Sequence, residues 1–228
     1  VNEIIIERIN EKYKGINWGV LSEENVKIES DNSVLDHDWV WVLDPLDGTK
    51  DFIQGTGNYA MHLALNYKNK SCIGVVLIPE KNELWLTNGK ETWCEEKDGS
   101  KKGLNIVKRH QKKSLKEMIL VTSKNHRNEI LRKLIQKVYF KKVIVMGSIG
   151  CKLASILRGE SDIYISLSLP GQSSPKDWDF AAPEAVLRNY GGTITNLDNE
   201  DLIYGSENYE QGGIIVASNN KQHHKFLC

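Results

Sequence analysis

Trp41-Val42-Leu43-Asp44-Pro45-Leu46-Asp47-Gly48-Thr49-Lys50-Asp51-Phe52 decides how the rest of the chain is read. Apolar and β-branched residues at 39–43 predict a strand that stops at a carboxylate, Asp44. Pro45 then fixes φ at a bend, Asp47 presents a second carboxylate, and Gly48-Thr49 suits the start of a helix. Two carboxylates three apart across such a bend can converge on a pair of hard cations, with the Leu46 carbonyl turned inward beside them. The amides of Gly48 and Thr49 then sit where a helix N-terminus holds a phosphate oxygen. Taken alone, the same letters also fit a polar turn with an aspartate cap and a turn glycine. What separates the two readings lies elsewhere in the chain.

Thirty Lys and Arg balance thirty Asp and Glu across 228 residues, which removes any whole-chain electrostatic reason to bind nucleic acid or an anionic membrane. The length suits one molecule with two lobes. No apolar run approaches the roughly 18 to 20 residues of a transmembrane helix, and no charged-then-apolar leader is present. Cys72, Cys94, Cys151 and Cys228 lack CxxC spacing, which favours free thiols in a reducing cytoplasm over disulfides or a zinc site. Val1, Ile4, Ile5, Ile9 and Tyr13 recur at helical spacing from the first residue, with no capping residue before them. The expectation is that further sequence precedes Val1 in the whole protein.

After that helix, 18–21 reads as a short strand running into Ser22-Glu23-Glu24-Asn25, and 26–38 as a polar surface loop. Beyond the opening motif, short β-like runs at 59–67, 72–78, 83–86 and 91–94 are separated by turn residues and predict an antiparallel meander. The Lys-, Gly- and Ser-rich stretch 97–116 is the best lobe boundary. Strands and helices then alternate: strand 118–122, helix 128–138, strand 142–146, helix 148–158, strand 162–165, helix 178–190, late strand 213–217 and a short C-terminal helix. The fold class is therefore α/β, with an α+β lobe over 1–110 and an α/β lobe over 111–228.

Three further features point at one place. Glu23-Glu24 follows a strand end and adds a carboxylate if that strand lies beside 39–43. Asp179, in Lys176-Asp177-Trp178-Asp179, opens an amphipathic helix, where an ordinary capping role explains it equally well. Gly147-Ser148-Ile149-Gly150-Cys151-Lys152 is a small-residue turn from strand to helix, suited to a phosphate on backbone amides with Lys152 added, or simply to a tight connection. His62, between apolar Met61 and Leu63, reads as structural, and His223-His224 as a solvated tail.

Together, WVLDPLDGT, the upstream EE pair and the downstream WD at a helix start resemble the magnesium-dependent, lithium-sensitive phosphomonoesterase superfamily of inositol monophosphatases, fructose bisphosphatases and bisphosphate nucleotidases. The resemblance runs from Val1 to about Asn219. Ser22-Glu23-Glu24, Thr49-Lys50-Asp51-Phe52 and the Gly150-x-Lys152 turn look most like the CysQ-type 3'(2'),5'-bisphosphate nucleotidases. The resemblance implies a layered αβαβα sandwich whose N-terminal helices are missing from this chain, and it makes 1–110 the metal-binding lobe and 111–228 the substrate-binding lobe. Homodimers are common in the superfamily, so it admits one here.

By position, the resemblance implies two to three Mg²⁺ ions. Glu23, Asp44 and the Leu46 carbonyl would hold the first, Asp44, Asp47 and Asp179 the second, and Glu23 would help with a third through water. Thr49, Asp47 and Glu23 become the catalytic residues, with Thr49 set between the attacking water and an upstream Asp that this sequence does not contain. Gly48, Thr49, Ser148 and Lys152 become substrate contacts, and the loop 166–176, with Ser168, Pro170, Gly171 and Lys176, would line the nucleoside side. The implied reaction is hydrolysis of the 3'-phosphate of a small phosphorylated nucleotide, 3'-phosphoadenosine 5'-phosphate, to AMP and phosphate. Inositol monophosphatase or fructose-1,6-bisphosphatase activity on the same scaffold is the rival, and a catalytically silent metal or nucleotide binding module is the rival of another class.

Overall fold

A computed structural model describes residues 1–26, 34, 36–102, 113–124 and 129–219. Two sheets organise it. The first has strands β1 (Gly19–Ser22), β2 (Trp39–Asp47), β3 (Ala60–Tyr67), β4 (Lys70–Ile78), β5 (Glu83–Thr87) and β6 (Thr92–Glu95) in that spatial order. β1 runs parallel to β2, with Ser22 opposite Leu43, and every later pair is antiparallel, so the meander forms as expected. β3 alternates buried and half-buried side chains along its length, the pattern of a strand with one face on the core. Its turn to β4 places Lys68 and Asn69 both at positive φ, the hairpin geometry whose twist matches the strands.

The second sheet orders β10 (Thr193–Asn196), β11 (Gly213–Ser218), β9 (Ile163–Ser168), β7 (Ile119–Ser123) and β8 (Lys142–Met146). β7 pairs in parallel with β8 and β9, while β9–β11 and β11–β10 are antiparallel. β9 is buried at every residue because helices cover both faces of the sheet there.

Helices α5 (Ile149–Leu157) and α6 (Asp177–Asn189) lie between the two sheets, touching β3 and β4 on one side and the second sheet on the other. One continuous core joins Val42, Val76 and Trp85 of the first sheet to Tyr164 and Ile215 of the second through Leu153, Phe180 and Val186. α4 (Glu129–Val138) covers the outer face of the second sheet, where Leu131 packs with Leu120, Ile165 and Val216. α1 (Asn2–Lys12) and α2 (Glu23–Val26) lie at the β1–β2 side of the first sheet. The result is the layered αβαβα sandwich that the resemblance implied.

Three differences have local causes. β2 does not stop at Asp44 but continues to Asp47, with Asp44 opposite His62, Asp47 opposite Ala60, and a register shift between them. Pro45 has no N–H for the ladder, and the Leu46 amide donates to Asp44 Oδ1 at 2.9 Å, so two residues bulge out before pairing resumes. β9 extends to Ser168, and β10 is a strand where the sequence after Gly191-Gly192 offers only four residues of signal. Most of the 26–38 loop, the 110/111 lobe boundary, and the C-terminal helix with His223 and His224 lie outside the described residues.

Candidate active site

The bulge in β2 aims two carboxylates at one spot. Asp44 is 1% exposed and Asp47 6%. Asp47 Oδ2 accepts from the Ser148 hydroxyl at 2.6 Å and from the Gly150 amide at 3.0 Å, both at the start of α5. His62 Nε2 lies 3.2 Å from the same oxygen, an electrostatic contact rather than an aligned hydrogen bond. With Oδ2 so engaged, Oδ1 is the oxygen left to face the neighbouring carboxylates.

Asp179 comes from α6. Its Oδ2 accepts from the Lys176 amide at 2.6 Å, so it does cap the helix as its position suggested. It also completes a cluster, since one carboxylate oxygen from each of Asp44, Asp47 and Asp179 lies within 4.8 Å of the others. Glu23 opens α2 directly after β1, and because β1 runs beside β2 it reaches the same cleft without joining that tight group.

The charges are out of balance. Burial pushes Asp44 well above the usual carboxylate range, and Asp47, Asp179 and Glu23 push it further. Burial, then the charge of Asp47, carries Asp179 up to about 7. Asp47 moves the other way: burial raises it, but His62, Lys152 and the Ser148 hydroxyl together hold it below the ordinary value. The cluster therefore has one carboxylate fixed as an anion and two that resist ionisation for want of positive charge.

The cluster borders an open cleft of about 320 Å³ lined by Glu23, Asp47, Gly48, Thr49, Lys50, Asp51, Lys152, Lys176 and Asp179, among others. Gly48 sits at φ +87° and starts the short helix α3 (Thr49–Ile53), as its place in the sequence suggested. The Thr49 hydroxyl donates to the Leu46 carbonyl at 3.1 Å, which ties these two site residues together. Lys152 lines the cleft but is 1% exposed, and its Nζ donates to the Gly147 carbonyl at 2.9 Å and to Ser123 Oγ at 3.0 Å. Lys176 donates to Asn208 O and Glu210. Ser148 is used differently from the expectation that it faces a substrate: it is fully buried, caps α5 through the Cys151 amide, and holds Asp47. Sequence reading missed the part played by His62, whose partners lie on other elements.

The sequence pattern described as the inositol monophosphatase family matches residues 1–228. The chain belongs to that family. Among curated relatives of this family member, a 3'(2'),5'-bisphosphate nucleotidase CysQ from Buchnera aphidicola is 31% identical over 81% of the chain. An inositol-1-monophosphatase from Caulobacter vibrioides is 30% identical over 92% of it. The chain spans 64% of the length of the first and 77% of the second. Among solved structures, inositol monophosphate bound SaIMPase-II superposes with a TM-score of 0.77 at 21% identity, covering 99% of this chain and 80% of that one. CysQ from Bacteroides thetaiotaomicron gives 0.75 at 23%, covering 96% and 82%. These structural likenesses establish the fold.

Members of the family use divalent metals, and the donor set here fits one. Three carboxylates, Asp44 and Asp47 buried and Asp179 half-buried, are hard oxygen ligands, and Asp44 and Asp179 are driven toward protonation unless a cation joins them. This sets a sign for stability. Asp44 and Asp179 have higher pKa values folded than unfolded, and so does Asp177, which burial pushes up to about 6. Between about pH 4 and pH 7 these three groups thus bind more protons folded than unfolded, and their contribution to stability falls as pH rises. Asp47, Glu83 and Glu117 act oppositely, but only as pH falls below their unfolded values, at or beneath the foot of this window. In chelator, the thermal midpoint is expected to drop from about pH 5 to about pH 7.5, and added Mg²⁺ to raise it mainly at the higher pH. A metal-free midpoint that climbs across that interval would contradict the charge balance described.

Proposed function

We propose that the protein is a Mg²⁺-dependent phosphomonoesterase acting on a bisphosphorylated nucleotide, with 3'-phosphoadenosine 5'-phosphate converted to AMP and phosphate. The observation that carries this reading is the Asp44, Asp47 and Asp179 cluster beside an open cleft whose rim bears an exposed lysine, Lys50. The 31% identity to a CysQ nucleotidase stands beside 30% to an inositol-1-monophosphatase, so what favours a substrate with a second phosphate is the exposed Lys50 at the rim.

Asp44, Asp47 and Asp179 would hold the metal, with Glu23 and the Leu46 carbonyl at its edge. When bound, Mg²⁺ supplies Lewis-acid charge to the phosphate oxygens, to the leaving alkoxide and to the water that attacks. The chain's own groups do the rest. Gly48 and Thr49, at the turn into α3, receive the phosphate to be cleaved, and the Thr49 hydroxyl stands beside the Leu46 carbonyl to orient an approaching water. Lys152, committed to Gly147 and Ser123, keeps the turn between β8 and α5 in place and puts positive charge beneath the cleft. Lys50 is exposed at the rim and takes the second phosphate.

The test is phosphate release by the full-length protein with Mg²⁺ from three substrates: 3'-phosphoadenosine 5'-phosphate, inositol 1-phosphate and fructose 1,6-bisphosphate. The highest kcat/KM is expected for the nucleotide, and no release from it above background would end this reading. The inositol monophosphatase reading rests on the 30% identity to the Caulobacter relative and predicts the reverse ranking. Lys50→Ala is expected to raise KM for the nucleotide at least about tenfold, the scale of one charge-assisted hydrogen bond, with little change for the monophosphate. Equal changes for both substrates would remove Lys50 from the second phosphate.

A further inference from the structure

His62 touches every part of the chain that supplies a carboxylate to the cluster. In the β2–β3 ladder it lies directly opposite Asp44. Its Nε2 stands 3.2 Å from Asp47 Oδ2, and its Nδ1 lies 3.2 Å from the carbonyl oxygen of Trp178, the residue before Asp179. The ring is fully buried, so no water can substitute for these contacts. The surroundings are shaped to admit it. A Cβ on Gly150 would come within 2.3 Å of Nε2, so only glycine at that point of α5 lets the imidazole reach Asp47. Glycine there also brings the Gly150 amide onto the same carboxylate oxygen, at 3.0 Å.

The Asp47 carboxylate is held by a hydroxyl and an amide on one oxygen with the imidazole against that same oxygen, and the ring bridges Asp47 on β2 to the first turn of α6. We infer that His62 is a positioning residue: it sets the separation of Asp47 from Asp179 and leaves a single oxygen of Asp47 free for a divalent cation. This rests on the reading of the cluster as a metal centre. A ring that only filled space between β3 and α6 would have no need of a carbonyl oxygen beside Nδ1 and a carboxylate beside Nε2, nor of a glycine cleared for its approach.

The test measures cation binding apart from turnover, by counting free Mn²⁺ by electron paramagnetic resonance in the presence of the protein. His62→Leu keeps approximate volume and removes both polar contacts, His62→Gln restores a polar group toward Asp47, and His62→Asn restores one toward the Trp178 carbonyl. His62→Leu is expected to weaken Mn²⁺ binding by about 10- to 100-fold, the usual cost of losing a group that orients a ligand. His62→Gln is expected to recover most of that loss, and substrate KM at saturating metal to stay unchanged. If His62→Leu and His62→Gln both fold and bind Mn²⁺ within about twofold of wild type, the positioning role is overturned while the metal centre stands. If only the glutamine and asparagine variants fold, binding by both at wild-type strength overturns it equally. Wild-type protein that binds no Mn²⁺ would overturn the metal centre itself, and the inference with it.

Discussion

Asp44→Asn is expected to lower phosphate release by more than about 100-fold, beyond the cost of disturbing a group that merely supports a ligand. The side chain keeps its shape, and its Oδ1 can still accept from the Leu46 amide, so the bulge in β2 persists. What disappears is one charge from a group of three converging carboxylates. The same change therefore has an opposite effect on the metal-free chain. Asp44 is driven toward protonation first by burial and then by Asp47, Asp179 and Glu23, and a neutral amide relieves that repulsion. Thermal unfolding in chelator should give a midpoint at or above that of wild type near neutral pH, and the rise that Mg²⁺ produces in wild type should be absent. Activity near the wild-type rate would refute the ligand assignment, and a collapse in metal-free stability would refute the charge argument.

Gly74→Ala should have the largest effect on stability away from the site. Gly74 lies in β4, where a Cβ would sit 2.5 Å from the Ala182 carbonyl oxygen and 3.0 Å from the Ala185 Cβ, both on α6. The nearest obstacle is helix backbone, which cannot swing aside as a side-chain tip could. α6 is also fastened to this sheet by hydroxyls, with Ser71 donating to the Ala181 carbonyl at 2.7 Å and Thr92 to the Val186 carbonyl at 2.9 Å. A methyl at Gly74 pushes the helix from those donors. The expected cost is about 3 kcal/mol, the upper part of the range for overpacking, or a fall of about 6–12 °C in thermal midpoint for a chain of this size. Because Asp179 rides on α6, Mg²⁺ affinity should weaken as well. An unchanged midpoint would mean that the helix does not approach the sheet this closely.

Much of this was legible in the sequence because the informative signals are local. Alternation at 59–67 and β-branched runs at 72–78 and 142–146 name their strands without outside help, and Ser148 reads as a helix start from its own neighbours. The carboxylates were legible because strand ends and helix starts are where such ligands converge. What was hidden depends on side-chain direction across layers. His62 reads as structural from its apolar neighbours and is buried, but its partners are on β2 and α6, and no spacing along β3 reveals them. Lys152 reads as a substrate cation by its place in the turn, whereas the path of its Nζ to Gly147 and Ser123 depends on how β7 meets α5. β10 was missed because a strand of four residues draws its stability from pairing with β11, at the far end of a long connection.

Asp44 and Asp47 leave the first sheet at the bulge in β2, and Asp179 belongs to the helix layer held between the two sheets. The cluster is complete only after that layer has been seated. In kinetic terms, a chain still assembling has no place to hold the ion, while a finished one cannot let α6 leave the first sheet without giving the ion up. Bound metal would thus act as a latch on disassembly, slowing the route out of the native state and leaving the route into it untouched.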